Sequence, residues 1–357
     1  RGLGDVYKRQ AYKVLPESQA DYGRPTKMAA RAYMAKVYLY QSKWKECLEA
    51  CDEVIQSGKY ELFPDFRNVF LPENDNCSEI IFAIQLSIND GSPNNENGSY
   101  GDRLLPPGGP YPVYGFLRPT QNLVNAYKTD VKGLPYNDGK DVSENDYVDV
   151  RLDHTLARPN IPFMDVQLYD WTPREASVYG PYSPKKRLVS LNSTYYSPIW
   201  PYVNALNFYV IRYADLLLWR AEAAIETGDL ETGRKYINMI RERAKNTQHV
   251  KTMDQSQDAA NYKVGVYDEP FKSKNEAVQA LRMERRLEMA HEGIRFFDLV
   301  RWGVADEVIN AYIAKEKVFR SHLQNAHFVK GKHEYFPIPQ SMIDICGTEV
   351  MKQNPGY

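Results

Sequence analysis

Cysteine and histidine are scarce in this sequence, and neither is spaced as a metal or redox site requires. The four cysteines, Cys47, Cys51, Cys77 and Cys346, include no CxxC pair and are too few for a dense disulfide scaffold. The six histidines show no HExxH or HxH spacing. We therefore expect no metal site and no cofactor.

The sequence also lacks any apolar run long enough to span a bilayer, a recognisable signal peptide, and an excess of charge of one sign. Its 45 basic and 46 acidic residues are intermingled and leave a net charge of −1, so the chain has no basic footprint for nucleic acid. Tyrosine is abundant, with 27 copies beside 13 phenylalanines. Its apolar ring and polar tip suit wet binding surfaces.

The most regularly patterned stretch runs from Ser273 to Gly303. Ser273 and Glu276 have the spacing of a capping box, which predicts a helix from Ser273 to Glu292. Gly293 follows as a turn, and Ile294–Trp302 has the pattern of a short aromatic helix. One helix face is apolar and predicts burial against other helices; its residues are Ala280, Met283, Leu287, Ala290 and Ile294.

A second stripe on this helix is charged. It comprises Glu284, Glu288, Glu292 and Arg295, with Arg285 and Arg286 within reach of those carboxylates at i±3 or i±4. The stripe is either an ion-pair lattice that locks helices together or a catalytic carboxylate cluster. We favour the lattice.

Two helical hairpins lie far apart in the chain. In the first, Thr26 caps a helix to Gln41 and Ser42 caps a second that reaches Gly58, with Cys47 and Cys51 at core positions. The second, Phe208–Ala244, turns at Gly228 and Asp229 and aligns with the first without a gap. Both have the pattern of tetratricopeptide hairpins, which need neighbours to bury their faces, so we expect them to stack in one core.

Between the hairpins, one predicted strand (Glu79–Leu86) precedes a long insertion with almost no helical periodicity. The exception is Thr120–Tyr127, a predicted short helix. More than half of the chain's 22 prolines and a dense set of aromatic residues lie between Ser87 and Tyr202. Long loops in a compact domain are functional or disordered, and the aromatic content argues against disorder.

Ten stretches of the sequence match a known family in composition and in order. They are GRPT at Gly23, NCSEIIF at Asn76, PTQNLVNAY at Pro119, DG at Asp138, DVRL at Asp149, IRYADLLLWRAEA at Ile211, INMIRERA at Ile237, ERRLEMAHEGIRFFDLVRWG at Glu284, FPIPQ at Phe336 and QNPGY at Gln353. In these stretches the sequence resembles the SusD/RagB family of nutrient-binding outer-membrane lipoproteins. The resemblance covers nearly everything from Pro16 onward.

The resemblance implies a mainly α fold in which tetratricopeptide-like hairpins carry a loop-rich, aromatic insertion. It also implies cell-surface binding of oligosaccharide, a SusC-like TonB-dependent transporter as partner, and a lipid anchor at the outer membrane. The family's lipid-bearing cysteine and about the first third of its chain, with part of the binding surface, are expected to precede Pro16. Asp215 and Val150 replace the commoner glutamate and proline.

We interpret residues 1–10 as a non-native scar and 11–357 as a single domain. Within it, 23–86 hold the first hairpin and the strand, 87–205 the ligand-binding insertion, 206–303 the second hairpin and the charged helix, and 304–357 a loop-rich C-terminal segment.

A sugar ring has an apolar C–H face and a rim of hydroxyls, so its site needs flat aromatic side chains and forked polar groups. The predicted ligand-binding residues are Tyr100, Tyr111, Tyr114, Phe116, Trp171, Tyr182, Asp102, Arg103 and Arg118. Other polar candidates in the insertion are Asn94, Asn95, Asn97 and Arg174. Trp171 and Tyr114 are the strongest candidates because each lies between prolines.

Two other functions stay open. A glycoside hydrolase needs two carboxylates across a cleft, and Asp102, Asp165, Asp170 and Glu175 lie among aromatic residues, although no spacing singles out a pair. A tetratricopeptide scaffold could bind a peptide in its groove, but the hairpins are not in tandem. We favour a non-catalytic binding protein.

Overall fold

The computed structural model describes residues 4–99, 109, 111, 114–164 and 167–357. The chain forms two compact units, Arg1–His291 and Glu292–Tyr357. Helices dominate both, which confirms the mainly α prediction. In the first unit they are α1 (Gly4–Val14), α2 (Lys27–Tyr40), α3 (Trp44–Gln56), α4 (Gln121–Ala126), α5 (Arg151–Thr155), α6 (Ala176–Tyr179), α7 (Tyr213–Glu226), α8 (Leu230–Lys245) and α9 (Lys274–Glu288).

The first hairpin consists of α2 and α3. Thr26 caps α2 as predicted, because its Oγ1 accepts a hydrogen bond from the backbone N–H of Ala29 at 3.2 Å. Ser42 does not cap α3. It occupies the left-handed region with φ of 55° in the turn, and Lys43 is the residue that precedes the helix, without a side-chain cap.

The second hairpin consists of α7 and α8. Asp229 caps α8 by accepting from the N–H of Thr232 at 3.0 Å, and Gly228 takes a φ of 94° in the turn, both as predicted. The prediction that the helical hairpin begins at Phe208 was wrong. Phe208–Arg212 is strand β8, which pairs antiparallel with strand β1, Ile80–Ile84, so the helix begins only at Tyr213.

Both hairpins and α9 share one core, as the sequence analysis predicted. Cys47 and Cys51 of α3, Leu217 of α7, Ile237 of α8 and Leu281 of α9 belong to one buried cluster, and each is at most 1% exposed. Two helix pairs distant in sequence therefore bury their apolar faces on each other, which a single pair in water cannot do.

The α9 helix begins at its predicted cap and ends earlier than predicted. Ser273 Oγ accepts from the N–H of Glu276 at 3.2 Å, while Glu276 Oε2 accepts from the N–H of Lys272 at 2.7 Å. The helix ends at Glu288 rather than Glu292. His291 already has a positive φ of 62°, which no α-helix accommodates.

Residues 4–10, part of the segment that we interpreted as a non-native scar, form most of α1. Tyr12 of α1 donates its hydroxyl hydrogen to Glu53 of α3, and the Lys27 ammonium lies 5.3 Å from the centre of the Tyr12 ring. The α1 helix thus packs against the first hairpin through Tyr12.

In the part that the structure describes, every strand of the insertion is short. Strands β2 (Lys128–Thr129), β3 (Tyr147–Val148) and β9 (Asn261–Tyr262) form one small sheet, in which β9 pairs parallel to β3. Two further pairs are antiparallel, β4 (Leu156–Ala157) with β7 (Ser183–Pro184) and β5 (Pro162–Phe163) with β6 (Gln167–Leu168). The predicted short helix is present as α4, capped by Thr120.

The second unit has its own small core. Its helices are α10 (Arg295–Arg301), α11 (Ala305–Glu316) and α12 (Gln340–Cys346). Leu299, Ala305 and Phe328 are buried together. The prediction that 304–357 is loop-rich therefore missed α11, whose apolar residues are interspersed with charge and only partly buried.

Candidate functional site

The insertion is held to the helices by side chains that bond to backbone carbonyls. Arg67 donates to the carbonyl oxygens of Lys186 at 2.8 Å and Leu188 at 3.2 Å. The buried ammonium of Lys186 in turn donates to the carbonyl of Glu288 at 2.7 Å. These bonds give order to a segment with few regular elements, because buried carbonyls need donors.

A small aromatic core fills the middle of the insertion. Tyr111 is 2% exposed and donates its hydroxyl hydrogen to Val189 O at 2.8 Å. Its ring meets Phe163 edge-on with 5.6 Å between centroids, and Phe163 contacts Tyr169. The prediction of Tyr111 as a stacking platform is therefore revised, because neither face of its ring is open to a ligand.

Trp171 belongs to the edge of this core. Its ring centroid lies 4.3 Å from that of Tyr169 and 5.2 Å from that of Phe163. The indole also covers the backbone of Gly109, where an added Cβ would lie 2.5 Å from the ring. Trp171 is half-buried, so it holds Gly109 in place and offers a ligand only part of its surface.

Arg118 does not offer a free fork to hydroxyls. Its Nε donates to Tyr182 O at 2.6 Å, Nη1 donates to Arg174 O at 2.8 Å, and Nη2 donates to Gly180 O. The guanidinium thus clamps the 174–182 segment to the chain around Arg118. Arg118 is better described as a residue that positions the loops than as a ligand contact.

Tyr182 is likewise engaged within the protein. Its hydroxyl donates to Gln121 Oε1 at 2.5 Å, and its half-buried ring packs beside the cluster that contains Tyr127 and Leu287. Arg174, another predicted polar contact, is exposed and lies 3.6 Å from the carboxylate of Glu175. Tyr100, Asp102 and Arg103 lie outside the described residues.

Two predicted platforms are exposed, and the Arg118 clamp ties their segment to another that carries a third exposed aromatic residue. Tyr114 is 39% exposed and Phe116 is 56% exposed. Arg118 ties their segment to Gly180, which directly follows Tyr179, itself 43% exposed at the end of α6. The clamp therefore joins two loop segments that both present aromatic rings to solvent.

The loop around Trp200 is a second exposed apolar patch, which the sequence analysis did not select. Trp200 is 57% exposed and meets Tyr202 edge-on at 5.9 Å, while Ile199 is 73% exposed. The loop is closed by a bond from Ser197 N to Val203 O at 2.8 Å. The close spacing of aromatic residues from Tyr195 to Tyr202 was the available signal.

An asparagine-rich loop lies next to this patch. Asn95 Nδ2 donates to Ser197 Oγ at 3.3 Å, while its Oδ1 accepts from the N–H of Asn89. Asn97 donates to Asp90 at 2.7 Å. Hydrogen bonds from Ser87, Ser92 and Asn97 hold the pKa of Asp90 below its ordinary value. These amides shape the loop, so only part of their capacity remains for hydroxyls.

The described carboxylates that we considered as catalytic residues of a glycoside hydrolase lie in surroundings unlike those of a general acid. Asp170 and Glu175 are both exposed, whereas a general acid is kept in an apolar pocket. Asp102 and Asp165 lie outside the described residues. Among the residues that the structure does describe, no cluster of three His, Cys, Asp or Glu could hold a metal ion.

The charged stripe of α9 is the centre of a buried ion-pair network. Glu284 and Glu288 are at most 1% exposed, and their partners are four arginines from other elements, Arg151, Arg212, Arg241 and Arg243. Glu79 and Asp149 complete it, so four positive charges face four negative ones. The network has the form of a lattice that joins helices.

One detail of the stripe differs from prediction. Arg285 pairs with Asp215 of α7 at 2.8 Å, and Arg286 donates to Asn122 at the start of α4.

The arginines around Glu288 determine its charge state. Burial alone would raise the pKa of the Glu288 carboxyl, but the positive charges of Arg243, Arg212 and Arg151 outweigh the effect of burial. They hold that pKa well below its ordinary value.

The chain belongs to the SusD family, whose model matches residues 78–357. It is 24% identical to the SusD-like protein P25 of Formosa agariphila over 96% of this chain and 61% of that protein. The chain spans about 60% of the length of the curated relatives that it matches.

Solved structures share the fold. A SusD superfamily protein of Bacteroides vulgatus matches with a TM-score of 0.67 and 24% identity, over 99% of this chain and 67% of that one. Surface glycan-binding protein A of Bacteroides thetaiotaomicron, in complex with laminarihexaose, matches with a TM-score of 0.69 and 22% identity, over 98% and 69%. No helix in the described part of this chain is long and apolar enough to cross a membrane.

Proposed function

We propose that this chain binds oligosaccharides at the cell surface, without catalysis, through the exposed aromatic side chains of residues 87–205. The observation that carries the proposal is the pair of aromatic patches, Tyr114, Phe116 and Tyr179 on the two segments that the Arg118 clamp joins, and Trp200 in its own closed loop. Contiguous exposed apolar patches on soluble proteins commonly mark binding sites.

The chemistry of a sugar ring suits such patches. An aromatic ring covers the C–H face and excludes water, which contributes roughly 1 to 3 kcal/mol for each stacked ring by area. Two or three such contacts give affinities on the order of micromolar to millimolar. The glycan-binding relative that was solved with laminarihexaose supports this ligand class for the chain.

Family membership supports the proposed transporter partner and lipid anchor. The bound oligosaccharide is passed to a SusC-like TonB-dependent transporter, and a lipid anchor holds the protein at the outer membrane. A nutrient-binding partner needs modest affinity, because a ligand that dissociates slowly cannot be handed on. Co-purification of the tagged protein with a TonB-dependent transporter from solubilised outer membranes tests the partner.

Isothermal titration with a panel of neutral oligosaccharides, laminarihexaose among them, tests the binding. Phe116→Ala and Trp200→Ala should each weaken binding at least fivefold. Phe319→Ala is the matched control, because Phe319 is 75% exposed and lies outside the insertion. Unchanged affinity in both insertion variants, with the fold intact, would remove the aromatic patches from the site. Product formation on prolonged incubation would instead favour hydrolysis.

A further inference from the structure

A cavity of about 360 Å³ lies between the residues that follow α3 and the insertion. Its wall contains Arg67, His154, Lys185, Ser190 and Ser193, together with apolar side chains such as Val189. This volume is at the low end of the range for small-molecule sites, about 300 to 1,000 Å³. None of the proposed aromatic platforms lines it.

Lys185 is the unusual member of this wall. Its side chain is 3% exposed, and its ammonium donates to the carbonyl oxygens of Asp153 at 2.6 Å and Pro162 at 3.0 Å. In the described chain no carboxylate lies within ion-pair distance of it, and an ammonium has three hydrogens to donate. A buried cation is ordinarily paired directly with an anion, whereas the Asp153 carboxylate acts on Lys185 only from beyond ion-pair distance.

Other charged side chains lie around Lys185. Arg67 adds a second positive charge to the wall, fixed by two backbone carbonyls. The nearby carboxylate of Asp153 is bound by Arg158, with two bonds of 2.7 and 2.8 Å. Among the described residues of the wall the one acidic member is Glu73, which is exposed. Burial lowers the pKa of Lys185 to about 7; Asp153 opposes the shift, while Arg67 and Arg158 add to it.

The other wall groups suit a ring with hydroxyls. His154 Nε2 lies 2.8 Å from Gln248 O and must donate to it, so the neutral ring keeps its Nδ1 lone pair as an acceptor. Burial and the charge of Lys185 lower the pKa of His154 to about 4, which keeps the ring neutral at pH 7. Ser190 and Ser193 add hydroxyls, and Val189 offers an apolar surface to a C–H face.

We propose that this cavity is a second binding site, which takes the carboxylate of an acidic sugar against Lys185 and Arg67. The site is independent of the aromatic patches. The acid group pairs directly with Lys185, whose side chain is buried, so the pair is stronger than one at the surface. The hydroxyls of the sugar bond to His154 and the two serines.

Isothermal titration at pH 6, at which Lys185 with its pKa of about 7 is mostly protonated, tests the proposal with D-glucuronate, D-glucose and acetate. Glucuronate and glucose differ only at C6, so glucuronate should bind at least tenfold more tightly than glucose, and also at least tenfold more tightly than acetate. Equal affinity for glucose would overturn the role of the charge. Equal affinity for acetate would overturn the role of the sugar.

Variants locate the site. Lys185→Met should weaken glucuronate binding at least tenfold, whereas Lys235→Met, which removes the same charge from an exposed position on α8, should not. Ser193→Trp fills the cavity and leaves Lys185 in place, so this variant should also abolish glucuronate binding. It keeps the test decisive if Lys185→Met fails to fold. Wild-type affinity in a folded Ser193→Trp variant contradicts the proposal. An excess of laminarihexaose should not compete with glucuronate, so this site and the aromatic patches fail or succeed separately.

Discussion

Arg243 donates a hydrogen bond through Nη2 to Oε1 of Glu288 at 2.5 Å, between two helices that both contribute to the main core. The other terminal nitrogen of Arg243 donates to Glu79 at 2.9 Å, next to strand β1. Glu288 also accepts from Arg151 and Arg212. One carboxylate therefore joins α9 to α8, to α5 and to the end of β8.

The first prediction concerns this carboxylate. Glu288→Ala leaves three buried guanidinium groups without a shared partner, and breaking a buried pair typically costs about 3 to 5 kcal/mol. We expect a loss of that size in urea unfolding, with oligosaccharide affinity unchanged in the folded fraction. Glu242→Ala is the control, because Glu242 is half-exposed and lies 3.6 Å from Lys245, so it should cost less than about 0.5 kcal/mol. Loss of binding at unchanged stability would instead place Glu288 in a ligand site.

The charged residues of α9 show which features could be predicted from the sequence and which could not. The cap of α9 and its acidic stripe are local features, and a structural role for the stripe follows from its position on a helix that must bury one face. The partners of Glu288 lie 45, 76 and 137 residues away, at Arg243, Arg212 and Arg151. No local spacing signals such pairings, and the local partners suggested by helix geometry, Arg285 and Arg286, bond elsewhere.

The structure of the insertion is harder to predict from the sequence, for a related reason. Its stretches have neither a helical nor a strand period, so the sequence does not reveal which side of an aromatic residue faces the interior. Tyr111 and Trp200 illustrate the limit, because both lie beside prolines, yet the first is 2% exposed and the second 57%. The position of Tyr111, for example, is fixed by a long-range bond from its hydroxyl to Val189 O.

The second prediction concerns Arg118. Arg118→Ala removes the donors for Arg174 O, Gly180 O and Tyr182 O, so the 174–182 segment should lose protection in amide hydrogen exchange. Oligosaccharide binding should weaken severalfold because the two segments that carry Tyr114, Phe116 and Tyr179 are no longer tied together. Arg118→Lys should not restore protection, because an ammonium cannot match the planar fork that reaches three carbonyls. Full rescue by lysine would show that only the charge matters.

The third prediction concerns Gly109, which has a φ of +71° beneath the ring of Trp171. Gly109→Ala adds both a left-handed strain of about 1 kcal/mol and a methyl group that meets the indole at 2.5 Å. Gly139→Ala separates the two effects, because Gly139 has a φ of +77° with nothing within 4 Å. We expect the near-ultraviolet circular dichroism of tryptophan to change in the Gly109 variant and to remain unchanged in the Gly139 variant. Equal spectra and equal stability losses would mean that the indole does not rest on Gly109.

The last prediction concerns acid stability. Burial, aided by Lys185, lowers the pKa of His154 to about 4, below its ordinary value of 6.5, while the Gln248 carbonyl opposes the shift. Between these two pH values the unfolded chain binds a proton that the folded chain does not, so the free energy of unfolding falls as the pH falls from about 6.5 to 4.

The His154→Gln variant removes this dependence while it keeps an N–H for the Gln248 carbonyl. It should therefore be less stable than wild type at pH 7.5, by about 1 kcal/mol for the altered bond and packing, and it should lose less stability on acidification to pH 4.5. Glu288 contributes in the same direction only below about pH 4.5, because its pKa is held well under its ordinary value. Urea unfolding at half-unit pH steps measures both slopes. Parallel curves for the two proteins from pH 7.5 to 4.5 would show that His154 is not held neutral by its burial.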